Sequence, residues 1–291
     1  MTYFDGWIVW MGRAKKSKNT ILSYAKDTEQ LLIHLFGTLE NQMPGAYVSV
    51  DSDKCYEYFD GNGLSPASVG RKISAMRSFY TYLIKEKKII NSNPFDGMVR
   101  PALPKPKPKA LSEERTLEIM AKAYEAKYSG RNGMRDHALM TIFMTVPVRK
   151  SEVQNLRRAD YTEDGVLVID EAKGNENREI PCTAEMIEAI DEYLETRTDD
   201  YEWLFVSERG NRMSAHAIDN VIHKYAGINP HALRSTSATN LFRHDIPIAT
   251  IKEIGGWDQG SNTFERTYLR IDNKVKRKAI EESMKKLRGG K

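Results

Sequence analysis

The chain has 291 residues, 40% of them hydrophobic and 29% charged, and carries a formal net charge of +4. That length suits two ordinary domains, and the balance of apolar and charged residues describes a globular protein rather than a disordered one. No stretch approaches the roughly 18 consecutive apolar residues of a membrane span. The start, "MTYFDGWIVWMGRAKK", lacks both the basic lead and the small-residue cleavage site of a secretory signal, so a cytoplasmic location is expected. Cys55 and Cys182 stand far apart without CxxC spacing, which predicts neither a disulfide framework nor a zinc site. The charge is mild but unevenly spread: basic residues gather at 13–18, 85–88, 100–109 and 274–291, and acids around 160–202. Local positive stripes of this kind suit a polyanion partner.

The first hundred residues read as helices. In "SKNTILSYAKDTEQLLIHL", Ile21, Tyr24, Ala25, Thr28, Leu31, Leu32 and Leu35 recur at helical spacing, with Ser17 or Asn19 as the cap. A second helix follows at "LSPASVGRKISAMRSFYTYLIKEK". There Ser65 caps, Pro66 occupies the first turn, and Val69, Ile73, Met76, Phe79, Tyr80 and Leu83 form an apolar face. Arg71, Lys72 and Arg77 fall on the opposite face and are candidate DNA contacts. The aromatic start, Tyr3 to Trp10, suits a core or an oligomer contact better than a base-stacking platform.

Periodicity stops at "NPFDGMVRPALPKPKPKALS". Alternating Pro and Lys from Pro104 to Lys109 cannot be helical, because proline lacks the amide hydrogen and clashes with the preceding turn. It predicts an extended, charged spacer at a domain boundary. Lys105, Lys107 and Lys109 suit it to crossing a DNA backbone, although such linkers commonly only join domains. We therefore expect a helical domain over 1–100, a linker over 101–110 and a second domain over 111–291.

The second domain is expected to be mainly helical with one β-hairpin. "GVLVIDEAKGNENREIP" alternates, turns through Gly174-Asn175 and alternates again, with Lys173 at the edge of the turn. Helical patterns resume at 184–197, 214–226, 231–243, 247–254 and 261–270. The fold class is thus mainly α with a small β-hairpin.

Separated pieces of this domain share one chemistry. Arg149 in "VPVRKSEV" stands at the mouth of a helix, and His231 and Arg234 in "NPHALRSTSAT" share a helix face by their i,i+3 spacing. Lys173, Trp257 in "GGW" and Tyr268 in "RTYLR" complete the set. Two guanidiniums can clamp the non-bridging oxygens of a phosphodiester and stabilise the added charge of a pentavalent transition state. A tyrosine oxygen can attack phosphorus and conserve the bond energy as an ester. A lysine or a histidine can protonate the departing 5′ oxygen. Trp257 can hold the phosphate through its N–H or pack the nucleophile's helix. No clustered Asp and Glu suggest a Mg²⁺ site, so neither a metal nor another cofactor is expected. His34, His137, His216, His223 and His244 lack metal spacing and read as structural or solvent-facing.

With these residues in place the chain resembles the tyrosine recombinase (phage integrase) family. The match comprises Arg149 in "RKSEV", Lys173 in the hairpin, "HALR" as the H-x-x-R box, "GGW" where the family usually shows L-G-H, and Tyr268 in "TYLR". Glu152 matches a supporting acidic position of the family and would otherwise read as a surface helix acid. Three positions depart from the pattern: Val146-Pro147-Val148 replaces the common T-G-L, Ser235 stands where a second histidine is frequent, and Trp257 replaces histidine. Some recombinases use tryptophan at that last position.

The resemblance covers essentially the whole chain. It implies a helical core-binding domain and an α+β catalytic domain that grip duplex DNA, with Tyr268 as nucleophile. It further implies a homotetramer on two DNA sites, 3′-phosphotyrosyl intermediates and a Holliday junction. A chain that begins almost directly with the core-binding helices suits a simple recombinase rather than one with an added arm-binding domain. The tail "NKVKRKAIEESMKKL" places Val275, Ala279, Ile280, Met284 and Leu287 along one helical face, which the resemblance assigns to exchange between protomers; docking on its own domain is the alternative. Two other functions share these residues: a type IB topoisomerase, disfavoured by the basic tail, and a catalytically silent DNA-binding protein, disfavoured by the intact residue set.

Overall fold

The computed structural model describes residues 1–103, 110–170, 177–260, 264–265, 277, 280–281, 283–285 and 288. The chain divides into two compact units, Met1–Lys105 and Pro106–Lys291. Among the described residues, the first is built from helices alone and the second adds one two-stranded sheet. No helix among them is long and apolar enough to cross a membrane.

In the first unit, α1 (Tyr3–Arg13) opens on a capping box: Thr2 accepts from the Asp5 amide and Asp5 accepts from the Thr2 amide. Ser17 caps α2 (Lys18–Phe36), and Gly37 ends it at a φ of 72°, where a side chain would be strained. After α3 (Pro44–Val48) and α4 (Ser52–Gly61), α5 (Pro66–Lys85) starts on Ser65 with Pro66 in its first turn, as the spacing predicts. Val69, Ile73, Met76, Phe79, Tyr80 and Leu83 are all buried, in one cluster with Trp7, Tyr47, Phe59 and Phe95. Each such side chain contributes about 1.5–3 kcal/mol through removal from water. The aromatic start is therefore core: Trp7 is fully buried and its indole N–H donates to Ser78 Oγ at 3.2 Å.

The polar face of α5 differs from the expected one. Lys72 is buried, 3% exposed, and its ammonium meets Asp27 at 3.1 Å and Gln30 at 2.6 Å. Asp27 on α2 is itself buried and binds Arg71 at 2.5 Å from its other oxygen. A buried carboxylate needs cations around it, and that requirement draws Lys72 inward. Arg77 spends its guanidinium on the carbonyls of Phe95, Asp96 and Met98 at 2.9–3.0 Å, fixing the turn after the helix. Helical periodicity placed the three on one outer face; only Arg71 keeps a largely open side chain, 49% exposed. Lys105, Lys107 and Lys109 lie outside the described residues.

The second unit is organised around α7 (Arg131–Thr145), whose Ala138, Leu139, Ile142 and Phe143 are fully buried. α6 (Glu113–Ala126), α9 (Ala184–Glu195) and α11 (Pro230–Arg243) pack against it. The short α8 (Lys150–Asn155) is tied to α10 (Ala215–Ala226) by Lys150 and Asp219 at 2.7 Å. α12 (Ile248–Gly255) packs on α11 and on the sheet. β1 (Val166–Ile169) pairs antiparallel with β2 (Arg178–Pro181) in a register that sets Leu167 opposite Ile180 and Ile169 opposite Arg178. The hairpin is present as expected, while its turn, with Lys173, lies outside the described residues. The helices anticipated at 184–197, 214–226, 231–243 and 247–254 appear with ends shifted by a residue or two. Of the pattern at 261–270, Phe264 and Glu265 are described, and both are helical.

Candidate active site

Arg149 enters the site through the cap of α8. It is the N-cap residue, in extended conformation, and Glu152 at the third helical position accepts its amide N–H at 2.6 Å. That is the carboxylate half of a capping box, which turns the Glu152 side chain back over the helix start. There it also accepts from Arg149 Nη1 at 2.5 Å. Glu152, set aside in one reading as a surface acid, has a side chain only 8% exposed.

The second guanidinium comes from a residue that the sequence reading passed over. Arg178 opens β2, its side chain 9% exposed, and its Nη2 donates to Glu152 Oε2 at 2.7 Å. The signal was present in the strand alternation. Arg178 has the same parity as buried Ile180, so it points inward, and an inward arginine requires a carboxylate.

Arg234 arrives from α11. Small residues surround it in "ALRSTSA", and every position from Ala232 to Ala238 is buried, so this helix runs through the interior. Its guanidinium lies 4.0 Å from Glu152 Oε2. Among the described residues, three guanidiniums therefore converge on one carboxylate. Burial by itself would raise the Glu152 carboxyl; the hydrogen bonds and charge of Arg178, joined by the bonds from Arg149, outweigh it and hold the group below the ordinary carboxylate value.

The far side of the cluster is the C-terminus of α12. Arg178 Nε donates to Ile254 O at 3.0 Å, Arg234 Nη2 to Gly255 O at 2.8 Å and Arg149 Nη2 to Gly256 O at 2.6 Å. Consecutive carbonyls that the helix leaves unpaired are thus satisfied by the three cations, with the helix dipole in the favourable sense. A Schellman turn ends α12: Trp257 N–H reaches Lys252 O at 2.9 Å, Gly256 N–H reaches Glu253 O at 3.1 Å, and Gly256 takes a φ of 65°. The turn folds the indole of Trp257 back over Gly255, where a Cβ would lie 1.8 Å from the ring. It also sets the ring 4.0 Å from the Arg234 guanidinium, a cation–π stack that fixes the plane of the cation. The indole also lies against Phe264, at 4.8 Å between ring centroids.

Arg149, Glu152, Arg234 and Trp257 are thus brought together, joined by Arg178. His231 sits in the first turn of α11 and is exposed to solvent. Tyr268 and Lys173 lie outside the described residues. Ser235, where the family often has histidine, is buried. Among the other histidines, His137 is buried against the Tyr124 ring, and burial pushes its imidazole below the ordinary value. His34 contacts the Lys54 carbonyl and His244 the Asn240 carbonyl.

Residues 109–274 match the phage integrase family, and residues 7–87 match the N-terminal SAM-like domain of phage integrases. Among similar proteins, tyrosine recombinase XerC of Caldanaerobacter subterraneus subsp. tengcongensis is 28% identical, covering 91% of this chain and 81% of its own. XerC of Neisseria meningitidis serogroup C is 26% identical, covering 93% and 92%. Among solved structures, XerH site-specific recombinase bound to difH substrate aligns with a TM-score of 0.67 at 20% identity, covering 90% of this chain and 78% of that one. Lambda integrase bound to DNA aligns with a TM-score of 0.69 at 16% identity, covering 94% and 99%. These structures share the fold.

Proposed function

The chain belongs to the phage integrase family, and on that premise we propose that it is a site-specific DNA recombinase that cuts and rejoins duplex DNA through a 3′-phosphotyrosyl intermediate. The observation that carries this reading is the gathering of three guanidiniums, Arg149, Arg178 and Arg234, on the end of α12. A phosphodiester carries one negative charge and its pentavalent transition state two, so the cluster binds the transition state more strongly than the ground state.

The chemistry is an ester exchange. The Tyr268 hydroxyl gives up its proton to solvent or to a neutral base as its oxygen forms a bond to phosphorus and the bond from phosphorus to the 5′ oxygen breaks. The departing oxygen takes a proton from Lys173 or His231 and leaves as a free 5′-hydroxyl. Attack by the 5′-hydroxyl of another strand reverses these steps, releases the tyrosine and joins the strands. The energy of the broken bond is held in the phosphotyrosyl ester, so no nucleotide cofactor is consumed. The arginines supply by charge and hydrogen bonding the stabilisation a divalent ion gives in other phosphoryl transfers.

Its partners are double-stranded DNA sites, assembled as a homotetramer through exchange of the C-terminal tails. Ile280 and Met284, on the apolar face predicted for that tail, are exposed in the single chain, which supports a partner outside it. Contacts to the DNA backbone fall to Arg71 and the Pro-Lys strap, and its working place is the cytoplasm, on DNA.

The test uses a duplex selected from a random-sequence library for binding to the full chain, then nicked at successive central positions so that cleavage releases a short strand. The parent protein should form a covalent adduct that survives SDS. Tyr268→Phe should form none and keep its DNA affinity, because one phenol oxygen adds little to a phosphate-dominated interface. An adduct with the Phe variant would move the nucleophile to another tyrosine, Tyr225 or Tyr201 first; no adduct with the parent would remove the enzymatic reading.

A further inference from the structure

α12 also carries a buried lysine, which meets a carboxylate outside the arginine cluster. Lys252 is 4% exposed, and its ammonium meets Glu265 Oε1 at 2.8 Å and the Gln259 carbonyl at 3.2 Å. An ammonium taken out of water is costly, and a leucine or methionine in its place would be easier to bury. Where a buried ion pair is kept in spite of that cost, its best-attested use is to hold two segments in one register. The hydrogen bond from Lys252, with a backbone amide, holds the Glu265 carboxyl below its ordinary value, so the carboxylate stays charged at neutral pH.

The register at stake is that of the segment leading to Tyr268. Phe264, beside Glu265, is fully buried in a cluster with Ala238 and Ile251, and its ring lies against Trp257. The hydrophobic contact fixes how deep the segment sits. A phenyl ring can slide or rotate within an apolar seat, whereas an ion pair at 2.8 Å sets the position along the helix. Glu265 precedes Tyr268 by three residues, a span of at most about 11 Å even when fully extended. Fixing Glu265 therefore narrows the positions open to the phenol. Lys252 is also the residue whose carbonyl closes the Schellman turn that places Trp257 over Arg234. One short helix end thus addresses both halves of the reaction: its carbonyls hold the cations that receive the phosphate, and its lysine holds the segment that delivers the nucleophile.

We propose that Lys252 and Glu265 are positioning residues, whose ion pair sets the segment carrying Tyr268 in register with the arginine cluster. The inference rests on Tyr268 as nucleophile, as argued above. Misplacement of a reacting atom by about 1 Å costs roughly 100-fold in rate, and the effect belongs to the cleavage step rather than to DNA binding.

The experiment measures single-turnover adduct formation on the selected nicked duplex for the full chain, with DNA affinity and thermal unfolding followed in parallel. Lys252→Met and Glu265→Gln should each slow adduct formation by about 10–100-fold while DNA affinity stays within threefold. Lys252→Arg, which keeps the pair, should remain within threefold of the parent, and the exchange Lys252→Glu with Glu265→Lys should recover at least tenfold over Lys252→Glu alone. A substrate with sulfur in place of the bridging 5′ oxygen removes the need for a leaving-group acid but still needs a placed nucleophile, so it should leave Glu265→Gln slow. The Glu265 side chain is one-third exposed, so Glu265→Gln remains foldable even where Lys252→Met is not. Parent-like cleavage by Glu265→Gln overturns the proposal, as does rescue of that variant by the sulfur substrate. Failure of the parent to form an adduct, or an adduct with Tyr268→Phe, instead overturns the functional reading on which it rests.

Discussion

Removing the carboxylate of Glu152 tests whether the arginine cluster is built as described. Glu152 accepts three hydrogen bonds from Arg149 and Arg178 and lies 4.0 Å from Arg234, with 8% of its side chain exposed. At an effective dielectric near 20, each close charge pair is worth about 4 kcal/mol before desolvation and the mutual repulsion of the cations are subtracted. Breaking a buried pair from one side typically costs about 3–5 kcal/mol, because the remaining charge is left uncompensated. For a unit of this size each kcal/mol moves Tm by about 2–4 °C, so Glu152→Ala should lower it by roughly 6–20 °C. Glu152→Gln keeps the shape but turns one acceptor into a donor facing a guanidinium, and should cost about 1.5–3 kcal/mol.

The pH dependence carries the sign. The folded-state pKa of Glu152 is depressed, so the stabilisation is fully present above the unfolded value of about 4.3 and is lost as pH falls through the folded value. Urea unfolding of the parent and of Glu152→Gln between pH 3 and 8 should show a gap that is constant above about pH 5 and closes in acid. A Gln variant as stable as the parent at pH 7, or a gap indifferent to acid, would refute the view that this carboxylate organises the cations.

Gly255→Ala places a methyl group 1.8 Å from the Trp257 ring; it should cost about 1–3 kcal/mol by overpacking and slow adduct formation, because the indole must leave Arg234. An unperturbed Trp fluorescence spectrum and parent-like cleavage would show that the ring does not depend on that close approach. Lys173→Ala should slow cleavage by roughly 10²–10⁴-fold, with rescue by a substrate bearing sulfur at the bridging 5′ position; absence of rescue would pass the acid's role to His231. Deleting residues 274–291 should leave binding to one DNA site intact and abolish pairing of two sites, read by gel mobility and strand-exchange products; recombination by the shortened chain would mean that the tail packs on its own domain.

Much of this protein was legible in the sequence because the signals are local. Ser65-Pro66 marked the start of α5, the spacing from Val69 to Leu83 marked its buried face, and alternation around Gly174-Asn175 marked the hairpin. The chemistry was legible too: Arg149, the H-x-x-R box and Trp257 stand in a family order that does not depend on knowing where they meet. What local pattern does not carry is the identity of a buried charge's partner. Lys72 looked like an outer-face lysine until Asp27, 45 residues away, drew it inside. Arg178 drew no notice until Glu152, 26 residues away, gave its guanidinium a partner. Lys252 likewise found Glu265. Helical and strand periods follow from the geometry of a single segment. Burying a charge is favourable only if another segment brings the opposite charge within hydrogen-bonding distance, and that condition is met by the tertiary fold alone.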